Sequence, residues 1–151
     1  NYDRAQDVEQ PAGAFLMARR DALEAVGCWD EGFSPLWFED VDLCRRIRGA
    51  GYRIVYVPEC SARHQGGHSL ERISLEQKQI YWYGSLLRYA DKHFSPRGRF
   101  WMRAGVVGGA LLRMGWALGS GKDWRVYSKV MGLALGRSAG EARQVQPHVL
   151  T

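Results

Sequence analysis

Cysteine is scarce in this chain: Cys28, Cys44 and Cys60 are odd in number and far apart. None of them approaches the close pairing of zinc knuckles or redox dithiols, so all three are expected to be buried thiols in a reducing compartment. A membrane-crossing run is also lacking. The apolar, glycine-rich stretch Ala104–Gly119 carries Arg113 inside it and falls short of the roughly 20 residues that a bilayer requires, so an interfacial helix pair is expected there instead. The opening Asn1-Tyr2-Asp3-Arg4 has neither an initiator Met nor a charged-then-apolar leader, as expected for a piece of a longer protein. Internal repeats and low-complexity tracts are missing. Acids are missing from the tail: residues 97–151 hold 9 Lys+Arg against 2 Asp+Glu, a net of +7, whereas residues 1–96 hold 12 against 14, a net of −2. This asymmetry argues against a basic domain wrapped on nucleic acid. It points to a near-neutral catalytic or binding unit, followed by a segment that seeks a polyanion or an anionic membrane.

At 151 residues, 46% hydrophobic and 25% charged, there is material for one real core and an appendage. The apolar run Ala14–Ala18, entered from Pro11 and Gly13, predicts a buried strand. Asp21 to Val26 predicts a short helix with Asp21 as its cap and Gly27 as its stop. The segment Cys28–Phe38 reads as a loop dense in aromatics. From Asp40 to Arg48, Val41, Cys44 and Ile47 share one face of a second helix, ended by Gly49 and Gly51. Arg53–Val57 is β-rich and closed by Pro58. A loop at His64–Ser69 precedes a long helix from Leu75 to His93, halted at Ser95-Pro96. The last residues, 141–151, are expected to be disordered.

Taken alone, Glu39 and Asp40 are most simply acids capping a helix start. Their neighbours change that reading. The ordered motifs Gly13–Arg20, Gly27-Cys28-Trp29-Asp30-Glu31, Phe38-Glu39-Asp40-Val41-Asp42-Leu43-Cys44, Gly51-Tyr52-Arg53, Val57-Pro58 and His64-Gln65-Gly66-Gly67-His68-Ser69 closely resemble the C-terminal half of the family 2 inverting glycosyltransferases. Within that family the likeness is greatest to the rhamnosyltransferase-like branch that builds bacterial cell-surface polysaccharides. It spans roughly residues 8 to 95, and its specificity lies in the order of the motifs rather than in any one of them.

The resemblance implies an α/β fold: the C-terminal part of a GT-A mixed sheet with flanking helices over residues 1–95, on the acceptor side. A basic amphipathic helical tail comes next, at 96–140. The resemblance also implies transfer of a sugar from a nucleotide-diphospho-sugar to a saccharide or lipid-linked acceptor, with inversion, by an enzyme inactive as this isolated piece. The alternative is an inactive acceptor-binding or regulatory module without the donor-binding half. Asp40 occupies the position of the catalytic base, a carboxylate that takes the acceptor proton, and Glu39 that of an orienting acid, while Asp42 is assigned structural hydrogen bonds. His64 matches a metal-ligating histidine for magnesium or manganese, with His68 a weaker candidate. Most of that ion's ligands would come from an Asp-x-Asp that this chain lacks upstream of the base; Asp40-Val41-Asp42 has the spelling but stands at the base itself.

Gly13 lets backbone approach sugar or acceptor, or serves a tight turn. Trp37 and Phe38 adjoin the base as a candidate stacking platform, with Trp29 a third ring that could join it. Arg19 and Arg20 are lesser phosphate candidates. Tyr81, Trp82 and Tyr83 read as core. Trp101, Trp116 and Trp124 among arginines and glycines suggest peripheral membrane contact, at the cytoplasmic, inner face of the cell membrane.

Overall fold

The computed structural model describes residues 2–64 and 73–136. The chain divides into two compact units, Asn1–Ser85 and Leu86–Thr151. The division falls inside a helix rather than at the 95/96 boundary drawn from the sequence.

In the first unit the only strands among the described residues are β1, Gln6–Asp7, and β2, Val55–Tyr56. They pair antiparallel with Gln6 opposite Tyr56 and Asp7 opposite Val55. The Val8 N–H donates to the Ile54 carbonyl at 3.0 Å, lengthening the ladder slightly. Arg53 clamps the same pair by donating to both carboxylate oxygens of Asp7 at 2.9 and 3.0 Å. The strand expected over Arg53–Val57 is therefore short, because its partner offers only two residues to pair with.

The strand expected at Ala14–Ala18 does not form. Gly13–Phe15 is a single 3-10 turn. From Leu16 to Arg19 the chain joins no ladder, although its backbone is extended at both of those residues. Met17 is 95% exposed. An apolar run becomes a buried strand only where a neighbouring strand satisfies its backbone, and none of the described residues lies in that role. The described chain is accordingly mostly helical, with one small sheet in place of the mixed sheet expected.

Helix α1, Arg20–Ala25, begins one residue earlier than expected, with Arg19 at its cap position. Asp21 lies in the first turn, where it accepts from the Ala22 N–H and pairs with Arg19. Helix α2 is Glu39–Gly49. Both helices end in the same way. Gly27 and Gly51 take positive φ values of 75° and 88°, and the next N–H of each, from Cys28 and Tyr52, returns to the carbonyls of Leu23 and Ile47. Only glycine adopts that left-handed position without strain.

The core of the unit is Ala22 from α1, Phe33 from the loop, and Leu43, Cys44 and Ile47 from α2, all buried. Burying a side chain such as Leu43 stabilises by about 1.5–3 kcal/mol. Of the cysteines only Cys44 is buried; Cys28 and Cys60 are exposed. This corrects the expectation for those two, which lie in connecting segments outside the apolar helical face that covers Cys44.

Helix α3, Leu75–His93, has the bounds that its pattern predicts. Ser74 and Gln77 start it reciprocally: the Ser74 hydroxyl accepts from the Gln77 N–H and the Gln77 side chain accepts from the Ser74 N–H. This is a capping box. In the second unit α4, Pro96–Gly119, opens at once after α3, with Ser95 capping the Gly98 N–H and Pro96 at the first helical position. The Ser-Pro pair that halts one helix thus starts the next.

Helix α5, Arg125–Ala134, packs back on α4; the stretch Ala104–Gly119, expected to form a helix pair, is part of the single helix α4, and the partner helix follows it. Its seam is built from Val106, Ala110 and Ala117 of α4 with Val130 and Ala134 of α5. Arg103 fastens it by donating to the Asp91 carboxylate at 2.6 Å and the Ala134 carbonyl at 2.8 Å. Residues 137–151, including the expected disordered end, lie outside the described residues.

Candidate active site

Two residues ahead of the acidic motif set its geometry. Trp37 and Phe38 both have φ of 70°, a left-handed conformation that costs a residue with a Cβ about 1–2 kcal/mol. Phe38 is the cap residue of α2, so this turn swings the chain abruptly into the helix and presents Glu39 and Asp40 in its first turn. Tertiary contacts hold the turn. Trp82 of α3 meets Trp37 and Phe38 edge-on, with centroid separations of 5.8 and 5.3 Å, and the Ser85 hydroxyl donates to the Leu36 carbonyl at 3.0 Å.

The Asp40 carboxylate is pinned at both ends. Oδ1 accepts from the Val41 N–H at 2.8 Å, and Oδ2 accepts from the Gly13 N–H at 2.9 Å across 27 residues of sequence. A Cβ added at Gly13 would stand 3.2 Å from the Asp40 Cβ and 3.6 Å from Oδ2. The space opened by the missing side chain at position 13 is therefore occupied by the acid itself. A carboxylate offers about four acceptor directions, and backbone amides fill two, leaving capacity for a substrate hydroxyl. Beside it, Glu39 is half-buried. Its Oε2 is shielded from water and has no hydrogen-bond partner among the described residues.

Asp42 is fully buried and accepts from Arg46 Nε at 2.8 Å. Arg46 also donates to the carbonyls of Val26 and Cys28. These bonds tie α2 to the end of α1, and they are the structural hydrogen bonds expected of Asp42. The thiol of Cys44, one turn beyond Asp40, is raised above its ordinary pKa, first by burial and then by the Asp40 charge.

Gly13, Trp37, Phe38, Glu39 and Asp40 are thus gathered around one helix start. His64 is described and exposed, but Gly67, His68 and Ser69 of its motif lie outside the described residues. Among the described residues no three His, Cys, Asp or Glu side chains come together as a cation site. They do not by themselves fit magnesium or manganese. Arg19 is exposed and engaged with Asp21, and Trp29 is exposed.

Sequence reasoning missed one member. Trp82 was read as core, yet it is 44% exposed and props up the turn before the acids. Its spacing from Ser85 on one helical face was the available signal. The orphaned Glu39 oxygen has no sequence signature.

The model of the family described as "Glycosyltransferase like family 2" matches residues 2–83, more than half of the chain. The N-acetylglucosaminyl-diphospho-decaprenol L-rhamnosyltransferase of Mycobacterium tuberculosis is 33% identical over 95 residues, covering 60% of this chain and 31% of that protein. The rhamnosyltransferase WbbL of Escherichia coli K12 is 35% identical over 83 residues, covering 54% of this chain and 30% of that protein. The chain thus spans about a third of the length of these curated relatives. No solved structure gives a significant match.

Proposed function

This chain belongs to glycosyltransferase family 2 and is rhamnosyltransferase-like, and from that premise we propose that it carries the acceptor-side half of an inverting sugar transfer with a GT-A fold. The observation that carries the reading is the doubly pinned Asp40 carboxylate beside the orphaned Glu39 oxygen. In the proposed step an acceptor hydroxyl donates its proton to an open lone pair of Asp40. Its oxygen forms the new bond to the anomeric carbon from the side opposite the leaving group. The bond from that carbon to the diphosphate breaks, and its electron pair leaves with the nucleoside diphosphate.

The two backbone amides fix the carboxylate in the orientation the attack needs, without a side-chain rotamer to be ordered at each turnover. A buried acceptor without a donor costs about 1–3 kcal/mol. A second acceptor hydroxyl bonding to Glu39 Oε2 relieves that cost and orients the sugar. Trp37 and Phe38 supply a surface on which a sugar's apolar face stacks.

The proposed donor is a nucleotide-diphospho-sugar and the proposed acceptor a saccharide or lipid-linked saccharide, at the cytoplasmic face of the cell membrane. The mycobacterial relative, whose name describes a decaprenol-linked acceptor, supports the latter. His64 is proposed to contribute one imidazole toward a divalent ion whose other ligands are not among the described residues. The chain by itself is proposed to bind acceptor without turning over donor.

The test is the intact enzyme, incubated with a panel of nucleotide sugars and lipid-linked saccharides, with the product's anomeric configuration read by NMR. Transfer with inversion is expected. Transfer with retention, or none from any donor, overturns the reading.

A further inference from the structure

Helix α4 has two faces of different character. Val106, Ala110 and Ala117 are buried toward α5. At 3.6 residues per turn the opposite half carries Phe100, Trp101, Leu111, Leu112, Trp116 and Leu118. All six are exposed, with Trp101 at 71% and Leu112 at 78%. Between them lie Ala104, Gly108 and Gly115, also exposed, so the centre of the face is low and its edges are bulky. A contiguous exposed apolar surface of this kind marks an interaction site.

Charge identifies the occupant. Apart from Arg97 in its first turn, the exposed face holds no ionisable residue. Cations flank it: Arg97 in the first turn of α4, and Lys122 and Arg125 just after its end, while the exposed Arg113 falls on the half of the helix that carries Val106, Ala110 and Ala117. Among residues 97–136 the only acid is Asp123. Lys122 lies over the Trp116 ring, 4.3 Å from its centroid, which places a cation and an indole together where the helix ends. Tryptophan at the rim, aliphatic groups between, and lysine or arginine at the margins is the distribution of a helix lying in a lipid interface. Among the described residues no helix is long and apolar enough to cross a membrane.

We infer that the face of α4 turned away from α5 is a docking surface for an anionic lipid bilayer, with Trp101, Leu112 and Trp116 entering the interface and the flanking cations meeting lipid phosphates. The inference stands on the second unit alone. Its failure leaves the Asp40 chemistry untouched, and failure of that chemistry leaves this surface intact.

The test is flotation of the intact protein with vesicles of phosphatidylcholine alone or mixed with phosphatidylglycerol, with tryptophan emission recorded in parallel. Binding to the mixed vesicles with a blue shift is expected, weakening as salt is added. Leu112→Glu should lower partitioning at least about tenfold, since one buried leucine is lost and a charge must be desolvated. Lys122→Glu with Arg125→Glu should remove the preference for phosphatidylglycerol. Met17→Glu, at an exposed apolar position in the first unit, should bind as the wild type does, and circular dichroism confirms that each variant remains helical. Equal binding by Leu112→Glu overturns the proposal. So does the absence of vesicle binding, including the case where the wild type forms dimers that Leu112→Glu dissolves, which would assign the face to a second copy.

Discussion

Gly13→Ala adds one methyl group against the proposed catalytic base. Its Cβ would stand 3.2 Å from the Asp40 Cβ and 3.6 Å from Oδ2, so Asp40 must give way by a few tenths of an ångström. Gly13 does not have a positive φ, and the substitution carries no backbone strain. The lost freedom of the unfolded chain offsets the contact by about 0.4–1 kcal/mol. Stability should change by less than about 1 kcal/mol. Turnover is more exposed, because a misplacement of about 1 Å costs on the order of a hundredfold. A displacement of a few tenths therefore predicts a loss in kcat of roughly three- to tenfold, with the donor KM little changed. Gly13→Val, with two further methyl groups, should lose more. The assay is steady-state kinetics of the intact enzyme beside its thermal midpoint. If both variants keep wild-type kcat while folding normally, the contact between Gly13 and Asp40 has no catalytic meaning and the site is wrongly drawn.

The first unit yields three further expected outcomes. Arg46→Met leaves the buried Asp42 carboxylate without its cation and should cost about 3–5 kcal/mol in denaturant unfolding; adding Asp42→Asn should restore part of that, whereas no recovery would mean that the charge pair is not the cause. At mildly alkaline pH, Cys28 and Cys60 should react with iodoacetamide while Cys44 stays protected until denaturant is added, and rapid labelling of all three by mass spectrometry would contradict the burial. The Arg53 hydrogen bond, with a smaller charge contribution, holds Asp7 below the usual carboxylate range. A lowered carboxylate pKa contributes stability that is full above the unfolded value and is lost as pH falls through the folded one. Carbon NMR should therefore show Asp7 titrating below a free aspartate, and Arg53→Gln should return it to the ordinary range.

Helices were the most legible part of the fold. The bounds of α3 arise from Ser74-Leu75-Glu76-Gln77 at one end and Ser95-Pro96 beyond the other, because capping and proline chemistry act within a few residues of where they are written. The glycine stops after α1 and α2 were readable for the same reason. Ala14–Ala18 was misread, since a strand depends on a partner that local sequence does not name. The acidic motif was found through its neighbours, but its arrangement was not. Nothing at Gly13 announces that its amide reaches Asp40, nothing in Trp37-Phe38 announces two left-handed residues, and Trp82 offers only its three-residue spacing from Ser85. Such contacts join residues that are far apart in sequence.

If Asp40 takes the acceptor proton, Asp40→Asn in the intact enzyme removes the group that receives it. The amide keeps the shape but can accept only through one oxygen, so one of the two bonds to the Gly13 and Val41 amides is lost, at about 1 kcal/mol of stability. Loss of a general base predicts a fall in kcat of about a hundredfold to ten-thousandfold, with donor binding by calorimetry nearly unchanged. Turnover within a few-fold of wild type would mean that Asp40 is not the base.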